Sequence, residues 1–253
     1  MGDSQDGSES LNNKVNALCF DVFGTVTDWR SSVIREGHKI TEKTGCQAPW
    51  NEFANKWRLD GYIAALLKIA GGEMDCIPTA QIHKAKLLSL LEEYAITGLS
   101  DSEIDHFNLA WNRLAAWDDV AEGLEIMKQD FLIMPFSNGD YRCLLDISKF
   151  NNLPWDGIIS ADFFKKVKPD LSVYGDAAEL LCMQPHEIMM VACHAQDLDA
   201  ARKLGFRTAY VTRPLEYGPD MAPEEIAEPF DYHAADFIEL ARQLHSDKEI
   251  GRV

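Results

Sequence analysis

Four short stretches of the chain carry groups that could do chemistry together. FDVFGT holds Asp21, Gly24 and Thr25; SNG holds Ser137 and Asn138; KKVKPD holds Lys168; and VACHAQDLD holds His194, Asp197 and Asp199. A carboxylate, a hydroxyl with an amide, an ammonium, and a further acid with an imidazole are the parts of a nucleophilic or acid–base site. The ammonium would keep a neighbouring carboxylate ionised, and the acid or imidazole would handle water. Each part also has an ordinary structural use. An aspartate after a strand caps a helix or starts a turn, SNG is a common turn, and a lysine before proline is usually a solvated loop residue. Asp197 either caps the helix after it or serves the site, and Asp199 is most simply a first-turn acid favoured by the helix dipole. What gives the set weight is that its members arrive, in this order, after successive apolar runs.

Those runs are VNALCF (15–20), FLIMPFS (131–137) and IMMVACH (188–194), with RTAYVT (207–212) as a fourth and GIIS (157–160) as a weaker fifth. Short, nearly continuous apolar segments of this kind read as strands of a parallel sheet buried on both faces. Helical patterns lie between them: CLLDISKF (143–150), VYGDAAELLC (173–182) and LDAARKLG (198–205), the last stopped by Gly205. Strand alternating with helix predicts a doubly wound, Rossmann-like α/β domain, in which ligands bind beyond the carboxyl ends of the strands. The span 29–118 differs. It reads as helix after helix, with Trp57, Tyr62, Leu66 and Ile69 on one stripe and further helices in IHKAKLLSLLEEYAI and SEIDHFNLAWNRLAAW. Gly71 and Gly72 mark a helix–helix turn. One strand before a helical block and the others after it predicts an all-helical cap (29–118) inserted after the first strand of an α/β core (14–28 and 119–253), with a disordered tail at 1–13.

Bulk properties set the outer limits. The chain has 253 residues, 46% apolar, which is enough for a core domain with an insert. Its net charge of −17 opposes binding to nucleic acid or anionic membranes, and no apolar run reaches bilayer length. The start, MGDSQDGSES, has neither the basic nor the apolar region of a signal peptide, and Gly2 lacks the residues a myristoylation signal needs downstream. Cysteines at 19, 46, 76, 143, 182 and 193 form no C-x-x-C and no compact framework, so reduced thiols and a cytoplasmic location are expected. His83 and His106 sit in helical segments without metal-ligand spacing, Phe107, Trp111 and Trp117 read as packing residues, and no phosphate-binding glycine motif follows any strand.

FDVFGTVTDWRSSV, SNG, KPDLSVY and D-x-x-A-A-R-K-L-G-F together resemble the four motifs of the haloacid dehalogenase superfamily, over residues 15 to 220 and with the cap in the same place. Within it the chain is similar to the (S)-2-haloacid dehalogenase branch, and WRLDGY, LPWDGIIS and RPLEYGP add to this. The resemblance implies that Asp21 is a nucleophile forming an ester with the substrate, that Thr25 orients it and that Lys168 keeps it ionised. It implies that Arg58, Ser137 and Asn138 hold the substrate carboxylate and the halide, that Tyr62 lies beside them, and that Asp197 positions water or pairs with Lys168. Tyr174 stands at the family spacing, either in the same network or as a core aromatic. Phosphatase members carry a second acid two residues after the nucleophile, to protonate the leaving alcohol. Phe23 occupies that position here, and a halide needs no proton. The implied reaction is hydrolysis of a small 2-haloacid to a 2-hydroxy acid, inverting C2, with no cofactor or metal and in a homodimer.

The fourth motif departs from the family pattern, with Ala192 and His194 where S-x-N is common and Gln196 where an aromatic is common. His194 is thus a water positioner, a base, or a satisfied strand-end histidine. Two other readings stay open: a Mg²⁺-dependent phosphatase holding the ion with Asp21, Asp197 and Asp199, and a non-catalytic protein that binds a small acid in the same pocket.

Overall fold

Side-chain alternation along the apolar runs explains how the sheet is covered. In the computed structural model, which describes residues 14–221, 226, 229–249 and 253, strand β1 (Ala17–Phe20) is wholly buried. It sends Leu18 and Phe20 into one apolar cluster and Ala17 and Cys19 into another. A strand with core on both faces has no polar positions to spare, which is why the run reads as continuously apolar. The expected tail at 1–13 lies outside the described residues.

After β1 come β2 (Thr27–Asp28) and a run of helices: α1 (Trp29–Thr44), α2 (Trp50–Lys56), a π-helical turn (Trp57–Ile63), α3 (Ala64–Ala70), α4 (Thr79–Glu93) and α5 (Asp101–Asn108). Strand β3 (Ala115–Ala116) then pairs antiparallel with β2. The rest alternates: α6 (Val120–Met127), β4 (Leu132–Ser137), α7 (Tyr141–Phe150), β5 (Ile159–Ser160), α8 (Leu171–Leu181), β6 (Ile188–Ala192), α9 (Ala195–Leu204), β7 (Arg207–Val211), β8 (Tyr232–Ala234) and α10 (Phe237–Glu249). Among the described residues, six strands form a parallel sheet in the order β5-β4-β1-β6-β7-β8. β1 is central, so Asp21 leaves the sheet between the ends of β4 and β6, where the order reverses.

Two expectations need correction. SEIDHFNLAWNRLAAW is not one helix: α5 ends at Asn108, a 3₁₀ turn spans Leu109–Asn112, and the chain extends into β3. Tertiary bonds take over there. Ala115 N–H donates to Ser32 Oγ, Ala116 N–H to Asn151 Oδ1, and Trp117 Nε1 to Gly24 O. β8 was not expected at all. It has three residues, and His233 between its buried ends is exposed.

The helical run packs down on the sheet's carboxyl edge. Thr79 and Ala80 N–H donate to the two oxygens of Asp140, and Thr79 Oγ1 donates to Asn138 O. Asp140 thereby caps the start of α4 across the connection, which fixes the height of that helix above the second motif. No helix among the described residues is long and apolar enough to cross a membrane.

Candidate active site

The turn after β1 is built around Asp21. Gly24 has φ +99°, and a Cβ there would lie 2.2 Å from Glu216 Oε1, so glycine serves both the backbone conformation and the approach of that side chain. Thr25, buried one turn on, donates from Oγ1 to Asp21 Oδ2 at 3.0 Å. Lys168 Nζ reaches Asp21 Oδ1 at 3.1 Å and Asp197 Oδ2 at 2.5 Å. Tyr174 Oη donates to the other oxygen of Asp197. Asp197 thus bonds outward to Lys168 and Tyr174 from the first turn of α9, whose N-cap is His194.

Charge in this cluster is ordered. Burial alone would raise the Asp21 carboxyl, but the Lys168 ammonium and the His194 imidazole outweigh it and hold Asp21 well below the usual carboxylate range. Burial opposes the Lys168 ammonium, yet the Asp197 and Asp21 carboxylates raise it. Asp197 is pushed up by burial, which outweighs the opposing pull of Lys168, with Asp21 adding to the rise. Both carboxyls border the cavity, with Asp21 held low and Asp197 pushed up.

His194 uses both ring nitrogens: Nδ1 lies 3.1 Å from Asp21 Oδ2, and Nε2 lies 3.1 Å from both Glu216 oxygens. Burial works against its charged form, but Cys193, Glu216 and Asp21 raise it well above the ordinary imidazole value. Glu216 lies in RPLEYGP, a segment whose family resemblance singles out no residue for the site. It is 5% exposed, and Trp29 Nε1 donates to its Oε1 at 3.1 Å. An acid in a proline–glycine loop reads as solvated, and only folding carries it to His194.

Arg58 comes from the π turn. Its Nη2 donates to Phe23 O at 3.2 Å, while Nε and Nη1 are buried with no partner among the described residues. The guanidinium lies over the rings of Tyr62, Phe23 and Trp29, at 5.0, 5.4 and 5.7 Å from their centroids. A buried cation with two free donors over aromatic faces is built to receive an anion. Tyr62 Oη is likewise buried and unpartnered among the described residues. Ser137 Oγ accepts from Gly139 N–H. Asn138 has a structural task the sequence did not suggest. Its Nδ2 donates to Lys168 O and its Oδ1 accepts from Lys168 N–H, so it clamps the lysine's peptide.

These side chains line one cavity of about 150 Å³, which includes Asp21, Phe23, Arg58, Tyr62, Ser137, Asn138, Lys168, His194 and Asp197. Thr25 and Tyr174 stand behind that lining. The donor set does not suit an octahedral Mg²⁺. The oxygens of Asp21 and Asp197 already accept from lysine, threonine, tyrosine and histidine, and Asp199 pairs with Arg202 at 2.6 Å.

Comparison with known proteins gives the family and the fold. Residues 15–205 match the family model of haloacid dehalogenase-like hydrolases. The chain is 28% identical over 219 residues to (S)-2-haloacid dehalogenase 4A of Burkholderia cepacia, covering 81% of this chain and 87% of that one. The crystal structure of an L-2-haloacid dehalogenase superposes with TM-score 0.87 at 36% identity, over 92% of this chain and 99% of that one. That of a defluorinating L-2-haloacid dehalogenase gives 0.87 at 34%, over 91% and 95%.

Proposed function

The chain belongs to the haloacid dehalogenase-like hydrolases, in their 2-haloacid dehalogenase branch, and from that premise we propose that it hydrolyses short 2-haloalkanoic acids through an ester on Asp21. The observation that carries this reading is an ionised, buried carboxylate facing an apolar wall and a half-free guanidinium.

Asp21 attacks C2 from the side opposite the halogen. The C–O bond forms as the C–halogen bond breaks, and the halogen leaves with the electron pair. Arg58 supplies the unused N–H donors for the departing halide or the substrate carboxylate. Phe23, 3% exposed, stands where a phosphatase keeps its proton-donating acid, and a halide leaving group does not require one. Lys168 keeps Asp21 anionic for the attack. Water then adds to the Asp21 carboxyl carbon as Asp197 takes its proton; the acyl Cγ–O bond of the ester breaks, the proton passes to the departing alkoxide oxygen, and the C2–O bond stays in the product, so C2 inverts once. Held by Thr25 and His194 on one oxygen and Lys168 on the other, Asp21 has little rotational freedom, which lowers the entropic cost of in-line attack. The helical span 29–118 acts as the cap that brings Arg58 and Tyr62 over this site.

Chloride release from (S)-2-chloropropanoate, with and without EDTA, tests the proposal. Turnover in EDTA that falls more than roughly a thousandfold in Asp21→Asn is expected, since removing a nucleophile removes the covalent route. Absence of halide release from any short 2-haloacid, or undiminished turnover in the variant, would overturn it.

A further inference from the structure

Behind the Asp21 side of the cavity, where His194 forms part of the wall, three side chains converge on one point. Cys193 Sγ lies 3.6 Å from His194 Nε2 and 3.6 Å from Glu216 Oε2, and His194 Nε2 lies 3.1 Å from Glu216 Oε2. The three atoms thus form a nearly equilateral triangle. An ion at its centre would sit about 2 Å from each, in the range of zinc–nitrogen and zinc–oxygen bonds and slightly short of a zinc–sulfur bond. The geometry points to a binding site for a zinc-class divalent cation, held by Cys193, His194 and Glu216.

Donor chemistry narrows the class. One sulfur, one imidazole and one carboxylate disfavour magnesium and calcium, which take oxygen ligands, and suit zinc, cobalt or cadmium. The second shell is already arranged. His194 Nδ1 faces Asp21 Oδ2, so an ion on Nε2 would complete a carboxylate–histidine–metal line. Trp29 Nε1 holds Glu216 Oε1 and turns Oε2 toward the sulfur. Gly24 keeps clear the space Glu216 occupies. Cys193 and Glu216 are buried, while His194 lines the cavity, which gives an ion its way in. On binding, the ion replaces the thiol proton of Cys193 and any proton on Nε2, and both leave to solvent. The site stands independently of the proposed reaction.

Binding can be read on the whole protein without an activity assay. Titration with Zn²⁺ should show one equivalent per chain, and Co²⁺ should give a thiolate-to-metal charge-transfer band. Cys193→Ala should remove that band and weaken zinc binding at least a hundredfold. Glu216→Gln, with the thiol intact, should weaken it at least tenfold. Cys46→Ala, at a half-buried thiol elsewhere, should change neither. A zinc-dependent rise in melting temperature, present in the unmodified chain and lost in both site variants, separates lost ligation from lost folding. No saturable zinc binding, or a charge-transfer band that persists in Cys193→Ala, would overturn the site.

Discussion

At the scale of single residues, the site is governed by a few groups whose neighbours leave them little choice. Arg58 has two buried donors without partners among the described residues, and a rigid guanidinium holds both in fixed directions. Arg58→Lys should therefore keep the charge and lose the geometry. kcat/KM for a 2-haloacid should fall roughly 10- to 100-fold with an unchanged melting temperature. Steady-state kinetics beside a thermal melt would decide this, and a fall in stability that matches the fall in rate would point to packing instead. Gly24 is constrained differently, by its positive φ and by Glu216 within bonding distance of a missing Cβ. Gly24→Ala should cost about 2–4 kcal/mol in urea unfolding, from backbone strain together with a displaced buried acid. Asp21 and Lys168 stood out as members of a set arriving at successive strand ends, and Thr25 through the family resemblance. Glu216 did not, since nothing in its local sequence marks it as buried.

Secondary-structure elements decide where those residues point. Trp57 and Tyr62 belong to one expected helical stripe, although they stand five positions apart. The structure resolves this with a π turn over Trp57–Ile63, and that spacing keeps both aromatics buried on the same side. The wider turn also puts Arg58 and Tyr62 together over Phe23. π turns frequently mark functional positions, because the extra residue re-aims a side chain. Deleting the exposed Asp60 should let the segment relax to α-helix and rotate Arg58 against Tyr62. The expected result is a loss of turnover of about a hundredfold or more with the far-UV circular dichroism retained. Equal activity in the deletion variant would show that the turn has no aiming role.

At the scale of the whole molecule, Arg213 ties three distant segments together around the turn after Asp21. Its Nη1 and Nη2 donate to the two oxygens of Asp119 at 2.8 and 2.9 Å, and its Nε donates to Thr25 O at 2.9 Å. Phe237 N–H, at the start of α10, donates to the same carboxylate. Burial would raise Asp119, but Arg213 outweighs it and holds the carboxyl below its usual range. A depressed carboxyl contributes stability that is fully present above the unfolded value, near pH 4, and is lost as pH falls through the lower folded value. Asp119→Asn should thus cost about 2–4 kcal/mol at neutral pH, because Arg213 is left buried and half-paired. That difference should shrink in denaturant melts run below about pH 4. A cost independent of pH would assign the effect to packing rather than to charge.

Sequence pattern was enough for the class of fold and, through the family resemblance, for proposing Asp21 as the nucleophile. Strands buried on both faces must be apolar along their length, and the residue ending each one is therefore conspicuous. It also determined that no acid follows Asp21 at the second position, which Phe23 fills. Tertiary structure alone decided what surrounds those residues. Asn138 grips the peptide of Lys168, Glu216 reaches His194 across 22 residues of chain, and Arg58 acquires its aromatic bed from β1's turn and α1. Such partners are set by packing between distant segments, and local pattern carries no trace of a contact whose other half lies elsewhere in the chain. The same reason hid β3 and β8, which are too short to show a period and exist because neighbouring strands and side chains offer their backbone hydrogen bonds.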